Sequence, residues 1–185
     1  MIITGHYAGI RTPTPGGLMI VVERTFAVTA APEAVLTYLT DLTNTPHWDR
    51  AVERATRDAP GPIAPGATWH QIRKVVGITT ELTYTLITKT PDRVVLHARN
   101  EGATCIDTIW LTPVPAGTEI TYRVELELHG LAKLAMRFLQ PEFEKQGTQS
   151  AANLTTALNA LATPTTTEIT FPETPFPAPA RPLEA

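Results

Sequence analysis

The side chains best suited to moving a proton lie on three successive stretches in the middle of the chain: Tyr84, His97 and Asp107. A carboxylate beside an imidazole orients its tautomer and raises its proton affinity, and a tyrosine hydroxyl can donate to a carbonyl oxygen. A second set, Trp69, Gln71 and Arg73, falls at alternate positions of Trp69-His70-Gln71-Ile72-Arg73, so a strand presents all three on one face. Both sets depend on register. Residues 118–128 alternate most clearly, with Ile120, Tyr122, Val124, Leu126 and Leu128 on one side and Glu119, Thr121, Arg123, Glu125 and Glu127 on the other. Residues 81–86 follow with Leu82, Tyr84 and Leu86. Turns centred on Val76-Gly77, Thr90-Pro91, Gly102 and Pro115-Ala116 carry that register to the neighbouring strands. One concave row then holds Trp69, Tyr84, His97, Asp107 and Val124, and a second holds Gln71, Leu82, Arg99, Cys105 and Leu126. Polar groups in an interior need partners, which a ligand pocket supplies. In the competing register, residues 93–100 and 104–113 shift by one. Val94, Leu96, Ile106 and Trp110 then face inward, and His97, Arg99 and Asp107 face solvent.

These residues are positioned by a simple order of elements. Residues 19–30 are apolar and β-branched and read as a strand. Pro32 suits the first turn of a helix carrying Val35, Tyr38, Leu39 and Leu42, and a short helix or turn follows at Thr45-Pro46-His47-Trp48-Asp49. Strands are expected over 51–57, 67–75, 78–88, 93–100, 104–113 and 118–129. Their connections are too short for crossover helices, so neighbouring strands pair antiparallel. After Gly130 comes a long helix over 131–161, with Leu131, Leu134, Phe138, Leu154, Leu158 and Leu161 on one stripe and a kink near Arg137 imposed by Pro141. Its polar segment, Glu142, Glu144, Lys145, Gln146 and Gln149, together with Phe138 and Phe143, is placed to form a lip over the pocket mouth. The expected fold class is α+β: a seven-stranded antiparallel sheet curled around a long C-terminal helix, with two short helices after the first strand. Residues 1–18 read as a flexible extension, 19–162 as the folded domain, and 163–185, with six prolines, as an extended tail.

Composition removes several function classes. The 185 residues carry a net charge of −3 and no basic cluster, so nucleic acid is not an expected partner. No apolar run approaches the ~20 residues of a membrane-spanning helix, and the first residues lack the pattern of a secretion signal. Cys105 is the single cysteine, which fits a reducing compartment, and the cytoplasm is expected. His47, His70 and His129 lie apart without ligand spacing, so no metal is expected, and no glycine-rich phosphate cradle points to a nucleotide cofactor. No Gly-x-Ser-x-Gly elbow occurs, and Cys105 has no basic neighbour, so acyl-enzyme chemistry is not supported.

Local signatures then narrow the fold. Phe26-Ala27-Val28 with Ala31-Pro32-Glu33-Ala34-Val35, Asp41-Leu42-Thr43-Asn44-Thr45-Pro46-His47-Trp48, Gly66-Ala67-Thr68-Trp69, Pro91-Asp92-Arg93 and Gly117-Thr118-Glu119-Ile120-Thr121-Tyr122 occur in an order that resembles the polyketide cyclase/dehydrase family of the START-like, helix-grip superfamily, over about residues 20 to 162. The resemblance implies an interior pocket for a hydrophobic, oxygen-rich small molecule, and favours the polar-inward register. It implies that Arg73, beside Trp69, orients a polyketide through its oxygens and stabilises an enolate. Gln71 stands where relatives carry a hydroxyl residue. On this reading Tyr84, His97 and Asp107 are catalytic, and Tyr38, Trp48, Trp69, Gln71, Arg73, Leu82, Arg99, Tyr122 and Phe138 bind the ligand. The activity implied is aldol cyclisation or dehydration without a cofactor, by a monomer or homodimer. The alternative within the same superfamily is a non-catalytic carrier of a lipid, quinone or other apolar metabolite.

Overall fold

The computed structural model of the chain describes residues 19–162, except for the side chains of residues 132, 133 and 135–138. The expectations for residues 1–18 and 163–185 lie outside the described residues. The elements are β1 (Met19–Val28), α1 (Pro32–Thr40), a 3-10 helix (Leu42–His47), β2 (Val52–Arg57), β3 (Thr68–Val75), β4 (Ile78–Thr90), β5 (Arg93–Arg99), β6 (Ala103–Val114), β7 (Gly117–Leu128), a second 3-10 helix (Gly130–Ala135) and α2 (Met136–Ala162). The seven strands form one antiparallel sheet in the order β1-β7-β6-β5-β4-β3-β2. From β2 to β7 chain neighbours pair throughout, and β1 closes the far edge against β7, as short turns require.

Local chemistry sets the boundaries. Pro32 opens α1, and the Asp41 carboxylate accepts from Thr43 N–H at 3.1 Å to start the 3-10 helix that leads to Trp48. Gly117 has φ +136°, and a Cβ there would lie 2.1 Å from the Val28 carbonyl oxygen, so only glycine lets the β6–β7 turn reach the end of β1. Gly147 does the same for α2, because a Cβ would come within 2.6 Å of Val22 Cγ1. The helix crosses the concave face at this close approach and buries Leu154 and Leu158 completely. Arg24 of β1 ties down its first half, donating to the Glu144 carboxylate at 2.8 Å and to Thr148 Oγ1 at 3.0 Å.

Two expectations change here. The apolar stripe of the long helix does not begin at Leu131: this residue and Leu134 belong to the second 3-10 helix and are 86% and 74% exposed. Pro141 lies within α2, in its second turn, and the expected kink near Arg137 falls where 3-10 geometry gives way to α. The second change concerns β5. Tyr84 pairs with Ala98, and Asp107 pairs with Leu96, so Val94, Leu96 and Ala98 fill the core at 0% exposure. His97 pairs with Thr85 and Ile106, and Arg99 with Thr83 and Thr104, on the convex face.

The cause is a β-bulge between Leu86 and Thr88, which inserts Ile87 as an unpaired residue, 50% exposed, and reverses the alternation beyond it. The next loop compensates. Asn100 N–H bonds the Ala103 carbonyl, and Arg99 pairs with Thr104, so the turn is centred half a residue before Gly102. Cys105, Asp107, Ile109 and Leu111 therefore face inward, while Ile106 and Trp110 stand on the convex face. Each register weighed from the sequence holds for one strand of the pair.

Candidate functional site

Between the concave face, the Trp48 segment and α2 lies a cavity of about 330 Å³. Its walls are mostly aliphatic, from β1 (Ile20, Val22), β4 (Leu82), β7 (Val124, Leu126) and α2 (Leu139, Leu154). Into this apolar space project two polar groupings, each fixed by strand alternation.

The first is built on β3. Arg73 and Gln71 point inward two residues apart, and Asp49, just beyond the end of the first 3-10 helix, reaches over to meet them. Arg73 Nη2 donates to Asp49 Oδ2 at 2.9 Å, and Nη1 to the Tyr84 hydroxyl oxygen at 3.3 Å. The other Asp49 oxygen accepts from Ala51 N–H at 3.0 Å and, at longer range, from Gln146 and Ser150 of α2. Burial works against the Arg73 charge, but Tyr84, Asp49, Cys105 and Asp107 around it outweigh that and raise its pKa. Arg73 Nε and Gln71 Oε1 are buried without a hydrogen-bond partner in the protein. The protein itself leaves the bonding capacity of both atoms unmet.

The second grouping is Asp107 with Tyr122 and Cys105. Tyr122 O–H donates to Asp107 Oδ2 at 2.8 Å, and the Cys105 thiol to Oδ1 at 3.1 Å. Burial pushes the Asp107 carboxyl up from its ordinary value, against the lowering effect of these bonds and of Arg73. Burial and the neighbouring Asp107 also push the Tyr84, Tyr122 and Cys105 groups well up, so all three stay protonated. The arrangement offers an acid/base of raised proton affinity, a guanidinium and a tyrosine hydroxyl that already accepts a bond from Arg73, all facing one apolar space.

Of the residues singled out from the sequence, Trp48, Gln71, Arg73, Leu82, Tyr84, Asp107 and Tyr122 line this cavity together. Trp48 and Tyr122 meet edge to face with centroids 6.0 Å apart. Trp69 is fully buried on the same face of β3 as Gln71 but does not line the cavity, and the Arg57 guanidinium lies 5.9 Å from its ring centroid. Tyr38 lines a separate surface groove with Glu33, Asp41 and Ile63. His97 and Arg99 are on the convex face, so His97 does not orient Asp107 and Arg99 does not reach a ligand; the Ile87 bulge is the reason. The Phe138 side chain lies outside the described residues. From the expected lip, Phe143 and Gln146 line the cavity, and Glu144 holds Arg24. Arg24 and Asp49 escaped sequence reasoning. Arg24 lies on an inward position of β1 that the alternation Ile20, Val22, Arg24, Phe26 could have revealed, whereas Asp49 is aimed by an irregular turn without a periodic signal. Among the described residues no group of three or more His, Cys, Asp or Glu side chains is placed to hold a metal ion.

A family model described as "Polyketide cyclase / dehydrase and lipid transport" matches residues 19–159. No curated protein is similar in sequence. Among solved structures, the protein TTHA0849 from Thermus thermophilus superposes with a TM-score of 0.65 at 15% identity, over 78% of this chain and 99% of that one. The di-domain ARO/CYC StfQ from the steffimycin biosynthetic pathway gives 0.61 at 12% identity over 78% of this chain, which spans 52% of that longer protein. A START superfamily protein from Mycobacterium smegmatis gives 0.54 at 12% identity, over 77% and 97% of the two chains. At these identities the likeness is one of fold, and the fold is the helix-grip arrangement.

Proposed function

This chain belongs to the polyketide cyclase/dehydrase and lipid transport family, and from that premise we propose that it binds a hydrophobic, oxygen-rich small molecule in the interior cavity and promotes its aldol cyclisation or dehydration. The observation that carries the reading is the sharing of one apolar cavity by Arg73, Tyr84 and Asp107. In ring closure, Asp107 takes a proton from carbon next to a carbonyl while Tyr84, its oxygen already bonded by Arg73, donates a hydrogen bond to the developing enolate oxygen; that carbon bonds to a second carbonyl carbon, whose oxygen takes the proton back from Asp107. In water loss the same carboxylate takes a remaining α proton and delivers it to the hydroxyl, which departs as water as the carbon–carbon double bond forms. Enclosure supplies the remainder, since holding two carbons in near-attack geometry can remove roughly 7–11 kcal/mol of barrier. We place the protein in the cytoplasm as a monomer or homodimer, without nucleic acid or cofactor.

A second reading, a non-catalytic carrier of an apolar metabolite, is favoured by one observation: Tyr84, Cys105 and Tyr122 are all held in their neutral forms, which suits binding more than nucleophilic chemistry. Native mass spectrometry of the protein purified from its own host identifies the bound molecule. Incubation of that molecule with the wild type and with Asp107→Asn then separates the readings. Loss of water or ring closure that depends on Asp107 supports the first, and recovery of the unchanged molecule from both supports the second.

A further inference from the structure

We infer that the cavity selects its ligand by charge, admitting uncharged oxygenated molecules and turning away carboxylates, with Asp107 as the specificity-determining residue. The inference rests on the reading of the cavity as a ligand site and adds the electrical character of what enters.

Among the described residues, four charged side chains line the cavity: Arg24, Asp49, Arg73 and Asp107. Both cations are already matched. Arg24 meets the Glu144 carboxylate at 2.8 Å, and Arg73 meets Asp49 at 2.9 Å. Asp107 has only neutral partners, the Tyr122 hydroxyl and the Cys105 thiol. With two balanced pairs and one carboxyl left over, the cavity carries no surplus positive charge for an anion.

Hydrogen-bond geometry leads to the same result. A guanidinium binds one carboxylate as its counter-ion. In Arg73 that place is held by Asp49 at 2.9 Å, and Nη1 also donates to the Tyr84 oxygen. A neutral carbonyl or ether oxygen can accept a remaining N–H without displacing Asp49. A ligand carboxylate placed there would compete with Asp49 for the same cation and would face Asp107 across the cavity, where like charges repel far more than in water. A ligand derived from a carboxylic acid would therefore enter as an ester, thioester or ketone.

The test uses Nile red as an uncharged fluorescent occupant and three displacing probes on one ring system: methyl naphthoate, naphthoate and naphthylmethylammonium. Near pH ~7 the last two carry opposite unit charges, and about 0.3 M salt screens the net charge of the whole protein. The expected result is that the ester displaces best and that the ammonium displaces at a concentration at least roughly tenfold lower than naphthoate. Asp107→Asn should draw the two charged probes together, by weakening the ammonium and strengthening naphthoate. Naphthoate binding as tightly as the ammonium in the wild type would overturn the inference, and so would a wild-type ratio that Asp107→Asn leaves unchanged. The wild-type comparison stands if that variant fails to fold. Should Nile red gain no fluorescence from the protein, the reading of the cavity as a ligand site falls, and the charge rule with it.

Discussion

Strands β5 and β6 lie side by side, and both alternate polar and apolar residues, yet they turn opposite classes inward. On β5 the polar positions, His97 and Arg99, face out, and Val94, Leu96 and Ala98 are sealed in the core. On β6 the polar positions, Cys105 and Asp107, face in, and the large apolar Ile106 and Trp110 are 36% and 37% exposed. Alternation fixes which residues share a face and leaves open which face is inside. Here that choice is made by a single extra residue, Ile87, in the strand before. The consequence is chemical. A histidine that would have completed a dyad with Asp107 is turned away, and Asp107 is left with Tyr122 and Cys105 in an apolar cavity.

The largest effect should come from a charge placed on the inward face of β5. Leu96→Asp puts a carboxylate without a counter-ion at a position with 0% exposure. Thermal unfolding followed by circular dichroism should then lose its cooperative transition.

The two strands should also divide sharply in function. On the cyclase reading, Asp107→Asn lowers turnover by about 10²–10⁴-fold, while His97→Ala leaves it within about twofold, as steady-state kinetics on the molecule recovered from the host would report. In stability the order within β5 reverses. Leu96→Ala should cost about 2–5 kcal/mol in urea unfolding, and His97→Ala no more than about 0.5 kcal/mol.

The smallest effect is a pH dependence. Burial raises the Asp107 pKa above its unfolded value, so the neutral form is favoured on folding and stability is lost as pH rises through the folded value. Asp107→Asn should therefore raise Tm above that pH, by about 2–4 °C for each kcal/mol of desolvation relieved, with no gain in acid. A gain that grows toward acid would contradict the direction given for Asp107.

Much of this was legible in the residues. Strong alternation in Ile120 to Leu128 and in Leu82 to Leu86 placed the β3–β4 and β6–β7 pairs in register, and Trp69 opposite Tyr84 and Asp107 opposite Val124 follow from it. Short Gly- and Pro-marked turns led to one antiparallel sheet. Register at β5 was not legible, because a bulge has no residue signature in Leu86-Ile87-Thr88 and the loop Asn100–Ala103 could be centred in two ways. The cavity wall from β3, β4, β6 and β7 could thus be listed, but the partner of Arg73 could not, because Asp49 is aimed by a turn of the chain and no periodicity.

The most direct measurement is a crystal structure of the protein with methyl naphthoate. The ring should lie between β1 and α2, with an ester oxygen within hydrogen-bond distance of the Arg73 guanidinium, Asp107 in the same cavity and the His97 imidazole on the opposite face of the sheet. A ligand seated on the convex face beside His97, or a cavity left without the ester at saturating concentration, would contradict it.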